Sequence, residues 1–332
     1  EGAGNSSQVV IKLPENGTDN VNVTVDGKQV PVKVENGTAI ADLSGLPEGE
    51  HNVTVVYTDK DGRQSVVNKT IKIYKSINVA DEITRGWNSP YDAEAEFLDK
   101  EGRVLANTTV EFTVNGKTYK VKTDDKGIAK LTDSHLAVGK YDLTVKNPVT
   151  GEEVTQTLQI VKRILENKDL TMDYLDGSSF RVKVIGDDGN VAPEGEIIDI
   201  SANGIHYVSK VDKNGYATLK LGLTAKKHTI TVTYKGFTTK NKVTVKSIVK
   251  PVKKTVKVKK TAKKLKVKVK LKGKKVLKKK RVYLKFKGKT YKAKTNKKGI
   301  ATIKVKTLKR GKYTITVKYA KLTNKNKITI KK

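Results

Sequence analysis

The feature that most constrains this chain is a fourfold internal register of glycines. Four segments align: VNVTVDGKQVPVKVENGTAIADLSGLPEGEHNVTVVY, VEFTVNGKTYKVKTDDKGIAKLTDSHLAVGKYDLTV, IDISANGIHYVSKVDKNGYATLKLGLTAKKHTITVTY and VYLKFKGKTYKAKTNKKGIATIKVKTLKRGKYTITVKY. A first turn glycine falls at Gly27, Gly116, Gly204 and Gly288, and a second at Gly37, Gly127, Gly215 and Gly299. Two residues beyond each second glycine stands Ala39, Ala129, Ala217 or Ala301, and twelve beyond it Gly49, Gly139, Lys227 or Gly311. Between these marks run short stretches rich in Val, Ile and Thr that alternate apolar and polar residues. A period of two, broken at Asn-Gly, Asp-Gly or Lys-Gly, describes antiparallel strands joined by tight turns. No 3.6-residue period interrupts it, so helices are not expected.

Strands spaced in this way build a β-sandwich, and a repeat of about 85 residues suits one immunoglobulin-like domain. The expected fold is all-β: a tandem array of four Ig-like β-sandwich domains forming an elongated rod. The boundaries fall at 1–76, 77–162, 163–247 and 248–332. The joints KIYKSINVADE, QIVKRILENKDL and TVKSIVKPVKK contain no Gly/Ser-rich linker, so stiff connections are expected.

One unit departs from the pattern. From its start to its first turn glycine, unit two spends 39 residues (Ile77 to Gly116) and units three and four spend 40 (Ile164 to Gly204, Ile248 to Gly288). Unit one has 26 before Gly27, so its first strand and a turn are expected to be missing. A sandwich without that strand exposes backbone and an apolar groove. Either the strand lies upstream, or a strand from another subunit fills the groove and builds a filament by donor-strand complementation.

The charge is as uneven as the repeat is regular. The net +34 comes from residues 248–332, which hold 36 Lys and Arg and neither Asp nor Glu, while the other 247 residues sum to −2. Residues 263–281, KKLKVKVKLKGKKVLKKKR, look in isolation like a nucleic-acid or nuclear-localisation tail. Their apolar residues alternate, however: Leu265, Val267, Val269 and Leu271 are expected on one face of a strand, with lysines on the other. Twelve cations mark the expected basic face: Lys263, Lys264, Lys266, Lys268, Lys270, Lys272, Lys274, Lys275, Lys278, Lys279, Lys280 and Arg281. So many like charges on one small domain repel one another, which points to an anionic partner such as a cell-wall polymer or an acidic protein surface. Nucleic acid is the competing partner, since Tyr283, Phe286, Tyr291, Tyr313 and Tyr319 sit among the lysines. Lys outnumbers Arg 34 to 2 in this segment, and arginine supplies the bidentate reading of bases, so nucleic acid is the weaker fit.

The chain has no cysteine, which excludes disulfides, thiolate metal sites and cysteine nucleophiles. No stretch approaches the ~20 apolar residues of a membrane-spanning helix. The chain does not start with Met and shows no signal peptide, and it reads as a mature or partial chain. Sequons occur at Asn5, Asn16, Asn22, Asn36, Asn52, Asn68 and Asn107, seven of the first ten asparagines and none of the last ten. That one-sidedness predicts N-glycosylation of an extracellular N-terminal end.

Unit three contains KDLTMDYLDGSSFRVKVIGDDGN, ANGIHYVSKVDKNGYATLKL and HTITVTYKGFTTKNKVTVK. These segments resemble the adhesin-like cell-surface proteins of methanogenic archaea, whose tandem repeats are related to bacterial Ig-like repeats of invasin type. The resemblance covers units two to four well and unit one less fully. It implies a secreted, wall-associated, non-enzymatic protein, and it carries over no catalytic motif.

No enzymatic constellation competes with that reading. His51, His135, His206 and His228 are scattered over three units, and His51 and His228 align with Tyr141 and Tyr313 as strand residues. Acidic turns at Asp59, Asp61, Asp124, Asp125, Asp187 and Asp188 raise calcium, but ordinary Asp-Gly turns account for them without a cofactor.

Overall fold

The computed structural model describes residues 3–4, 8–14, 20–43, 45–259, 261–306 and 309–331. Every regular element among them is a strand. Four five-stranded sheets follow one another along the chain, each paired with a smaller sheet. The second sandwich serves as the pattern. Its large sheet runs Glu82–Gly86, Glu153–Val161, Gly139–Lys146, Thr109–Val114, Lys117–Lys122, and its small sheet Ile128–Leu131, Ala93–Phe97, Ile77–Asn78. All neighbours are antiparallel except one, because Glu82–Gly86 lies parallel to the last strand.

The repeated glycines and alanines fall where the backbone demands them. Asp26-Gly27, Asn115-Gly116, Asn203-Gly204 and Lys287-Gly288 have positive φ at both residues, from 44° at Lys287 to 80° at Gly27. Two consecutive left-handed residues make the type I′ turn whose twist matches a hairpin. At the second glycine of units two to four the constraint is space. A Cβ would meet the Phe97 carbonyl at 2.8 Å from Gly127, Val191 Cβ at 2.6 Å from Gly215 and the Leu271 carbonyl at 2.6 Å from Gly299. Ala39, Ala129, Ala217 and Ala301 are fully buried beneath these turns.

The chain forms two compact units. The first comprises residues 1–162 with 186–190. It holds two separate cores, one around Val23, Val53 and Ile71, the other around Phe97, Phe112 and Leu158. Its two sandwiches join at Ser76, which is fully buried and whose amide and hydroxyl both donate to Glu152 Oε2 (2.6 and 2.7 Å). Asn147 Nδ2 donates to the Ser76 carbonyl at 3.2 Å, and the Tyr74 hydroxyl donates to the Asp99 and Lys100 carbonyls. The second unit, residues 163–185 with 191–332, contains one continuous apolar cluster from Ile164 to Ile330, with Ile248 and Val249 at the joint.

The strand-short first unit has a specific form. Among the described residues, Ala3–Gly4 takes the parallel position beside Ile73 and Tyr74 that Glu82–Gly86 takes in the second sandwich. Gln8–Lys12 pairs with Thr38–Asp42 on one side. Among the described residues no strand flanks its other side, as Ile77–Asn78 flanks Ala93–Phe97. Val10, Val66 and Val67 are exposed.

Each sandwich is latched at the same corner. The residue early in the strand after the small sheet reaches back to a carbonyl four positions upstream: His51 Nε2 to Pro47 O (2.7 Å), Tyr141 OH to Ala137 O (2.9 Å), His228 Nε2 to Thr224 O (2.7 Å), Tyr313 OH to Lys309 O (2.7 Å). This is the tyrosine corner of Ig-like sandwiches, with histidine in two of the four. Where histidine serves, its other nitrogen faces the hairpin residue: His51 Nδ1 lies 2.6 Å from Asp26 Oδ2, and His228 Nδ1 lies 3.1 Å from Asn203 Oδ1. Where tyrosine serves in the fourth sandwich, Lys287 Nζ sits 5.1 Å from the ring centre.

The Asp26 carboxylate, then the Pro47 carbonyl, raise the pKa of His51. The hydrogen bonds from His51, then from the Asn52 amide, lower that of Asp26. The folded state thus holds the His51 proton more tightly than the unfolded chain. That contribution is complete below the unfolded histidine value and is lost as pH rises through the folded one. The Asp26 contribution is present above its unfolded value and is lost as pH falls through its folded one. A proton-detected NMR titration of His51 is expected to place its midpoint above 6.5, the ordinary value, and Asp26→Asn to bring it down. A midpoint at or below the ordinary value contradicts the latch.

Candidate anion-binding surface

The basic segment is folded, and the expected alternation holds. In Lys264–Lys270 the burial alternates residue by residue, with Leu265, Val267 and Val269 buried and Lys264, Lys266, Lys268 and Lys270 exposed. The partner strand Ile300–Lys306 sets lysine against lysine: Lys264 opposite Lys306 and Lys266 opposite Lys304. Directly opposed side chains in an antiparallel pair have Cβ atoms ~5 Å apart, so these like charges repel. Along a strand, same-face residues recur every ~7 Å. The result is a two-column array of ammonium groups on the outer face of the small sheet.

The other predicted cations divide between this sheet and the loop after it. Lys263 and Lys272 flank the strand, Lys274, Lys275, Lys278, Lys279 and Lys280 lie in the loop, and Arg281 opens the strand Arg281–Phe286. All are exposed. Among the described residues, no Lys or Arg side chain of 248–332 takes part in an ion pair, whereas Lys33, Arg103, Lys130, Lys140 and Lys146 of the near-neutral part all do.

The aromatic residues among the lysines are largely absorbed by the core. Phe286 is buried and meets Tyr313 edge-on at 5.8 Å. Tyr313 is tied down by its corner hydrogen bond, and Tyr291 and Tyr319 are half-buried against the cluster. Tyr283 is the member of the set with a widely exposed ring, at 40%. Stacking successive bases needs several open rings, and this surface offers a field of point charges instead.

The sequons show a second pattern. Asn5 and Asn16 lie outside the described residues. Asn22, Asn36, Asn52, Asn68 and Asn107 are all exposed, and Asn36 and Asn107 occupy left-handed positions at turns. The other three share the outer face of one sheet. Val23, Val53 and Ile71 point into the core, so Asn22, Asn52 and Asn68 point away from it. Two sequons are cross-paired, with Asn52 opposite Thr70 and Thr54 opposite Asn68. Each threonine hydroxyl donates to the facing asparagine Oδ1, at 3.1 Å from Thr70 and 2.8 Å from Thr54. A glycan attaches through Nδ2, so both hydrogen bonds are compatible with modification. The strand register that brings three sequons together was not drawn from the sequence, although the shared Asn-x-Thr spacing on alternating strands carries it.

The acidic turns have structural work. Asp59, Asp99, Asp124 and Asp212 each accept from amides two and four residues on, and Asp188 accepts from the amide and side chain of Asn190. Among the described residues no three His, Asp or Glu gather as metal ligands. His206 contacts Asp199 at 2.9 Å on an exposed strand face, and His135 sits in a left-handed turn position.

Fold and surface together define the class: a tandem array of Ig-like β-sandwich domains. No family model matches the chain, and no curated protein matches it. Solved structures do. The chain is similar to a Ca2+-stabilized adhesin that helps an Antarctic bacterium reach out and bind ice, at 15% identity over 99% of this chain and 94% of that one, TM-score 0.23. It is similar to the I9–I11 tandem of titin at 13% identity over 76% and 98%, TM-score 0.36. It is similar to the insect immune protein hemolin at 13% over 98% and 95%, TM-score 0.23. Likeness at this level carries no argument about what this chain binds.

Proposed function

We propose that this chain is an extracellular structural or adhesive surface protein, an array of four Ig-like domains bounded at 76/77, 162/163 and 247/248. Its basic C-terminal domain docks on an anionic cell-wall polymer or an acidic neighbour, and its N-terminal end carries N-glycans. The resemblance to adhesin-like proteins of methanogenic archaea supports the location. The observation that carries the docking is the field of cations on residues 248–332, none of them in an ion pair among the described residues, with Lys264 and Lys266 held in strand register opposite Lys306 and Lys304.

The mechanism is counterion release by a multivalent surface, and it is steeply dependent on salt. The full chain is expected to be retained on immobilised polygalacturonate at low salt and to elute as salt rises, with the triple variant Lys264→Glu, Lys266→Glu, Lys268→Glu eluting earlier. Retention that is indifferent to salt sinks the docking reading. Equal retention on single-stranded DNA would move the assignment to a nucleic-acid-binding module.

The sequon face gives an independent check on location. Glycopeptide mass spectrometry of the protein from its native cells is expected to find hexose-bearing peptides at Asn22, Asn52 or Asn68. Bare asparagines at all three count against an exported, glycosylated end.

The first domain supports a second reading, as a filament subunit. Among the described residues no strand pairs along the outer edge of Val9–Lys12, to which another chain's strand could add. Negative-stain microscopy of native material decides it: filaments support donor-strand complementation, and separate particles overturn it.

A further inference from the structure

Within the second unit a cleft of about 520 Å3 opens between the turn 173–178 of the third sandwich and the loop 273–280 of the fourth. Small-molecule sites have this size and favour such junctions. The walls are braced. Asp176 accepts from the Asp173 and Ser178 amides (2.9 and 2.8 Å), and Asp173 Oδ2 accepts from the Lys274 amide at 2.5 Å. Gly273 permits that approach, because a Cβ there would lie 2.5 Å from Asp173 Oδ2. Both carboxylates are thus engaged by backbone amides. Lys274, Lys275, Lys278 and Lys280, all exposed, line the cleft, and none forms an ion pair among the described residues.

At the rim stands Leu175, 56% exposed and at φ 57°. A leucine in the left-handed region is an outlier that costs free energy, and its side chain gains little burial in return. The same turn in the second sandwich places Asn88 at φ 56°, a residue that tolerates the conformation. A strained, solvent-facing apolar side chain beside four cations that outnumber the cleft's two carboxylates is a reason to look for a ligand.

We propose that this cleft binds a carboxylate-bearing sugar unit of an acidic polysaccharide. The apolar face of the ring rests on Leu175, and the carboxylate lies among Lys274, Lys275, Lys278 and Lys280. No helix N-terminus and no arginine lines the cleft, so the amide cradle and the bidentate fork that suit phosphate are absent there. The inference rests on the anionic-polymer reading and adds a specific subsite to it.

Leu175→Asn provides the test, since asparagine suits the backbone and keeps the fold while removing the apolar contact. Calorimetric titration of the full chain with trigalacturonate is expected to show binding that Leu175→Asn weakens about tenfold, with maltotriose inert to both proteins. Retention on long polygalacturonate should be unchanged by the variant. Equal affinity of the two proteins for trigalacturonate overturns the subsite. Retention of the polymer with no trigalacturonate binding also overturns it and leaves electrostatic docking standing. Trigalacturonate binding that is sensitive to Leu175→Asn, with polymer retention indifferent to salt, upholds the subsite and removes the lysine field as the dock.

Discussion

The whole molecule depends on each strand closing one face against a partner sheet. The fourth sandwich is the severest case, since it carries 36 cations and no anion. Burying a Val, Leu or Ile side chain stabilises by ~1.5–3 kcal/mol, whereas an opposed pair on the solvent face is worth ~0.2–1 kcal/mol. Leu265, Val267, Val269, Leu271, Leu284, Ile303, Ile315 and Ile330 are buried to within a few per cent. The apolar face therefore outweighs local lysine repulsion, and a segment that resembles a disordered tail is a strand. The outward face is left to be decided by charge alone.

The repeat was legible in the sequence because its glycines answer to backbone geometry. The positive-φ pairs at Asn115-Gly116 and Asn203-Gly204 are the residue types that such turns select, and Lys287-Gly288 keeps the glycine while replacing the first member. The corner was half legible. Aligning His51 and His228 with Tyr141 and Tyr313 marked them as strand residues, but the carbonyls they reach lie four residues back across a loop of variable sequence. The pairing of the latch with the hairpin, Asp26 with His51, Asn203 with His228 and Lys287 with Tyr313, comes from register across the sheet.

The surface was less legible for the same reason. Counting sequons showed where they concentrate along the chain, and only the pairing of Asn52 with Thr70 and Thr54 with Asn68 shows that they share a face. The twelve cations of 263–281 read as one basic face, yet the structure sorts them into a strand column and a loop. Of the loop residues, Lys274, Lys275, Lys278 and Lys280 line a cleft completed by the preceding sandwich. Leu175 had no signal at all, because a left-handed φ at leucine is invisible to composition and period.

The parallel pairing of an early strand with the last strand has a mechanical consequence. When the two ends of a sandwich are pulled apart, parallel terminal strands slide along each other, so their hydrogen bonds resist together in shear. Antiparallel neighbours loaded at one end would peel open one bond at a time. Where described residues bound the seam on both sides, it pairs five residues in the second sandwich and four in the third. Tension across the second or third sandwich therefore loads five or four paired residues at once, so each seam holds as a unit until it fails as a unit.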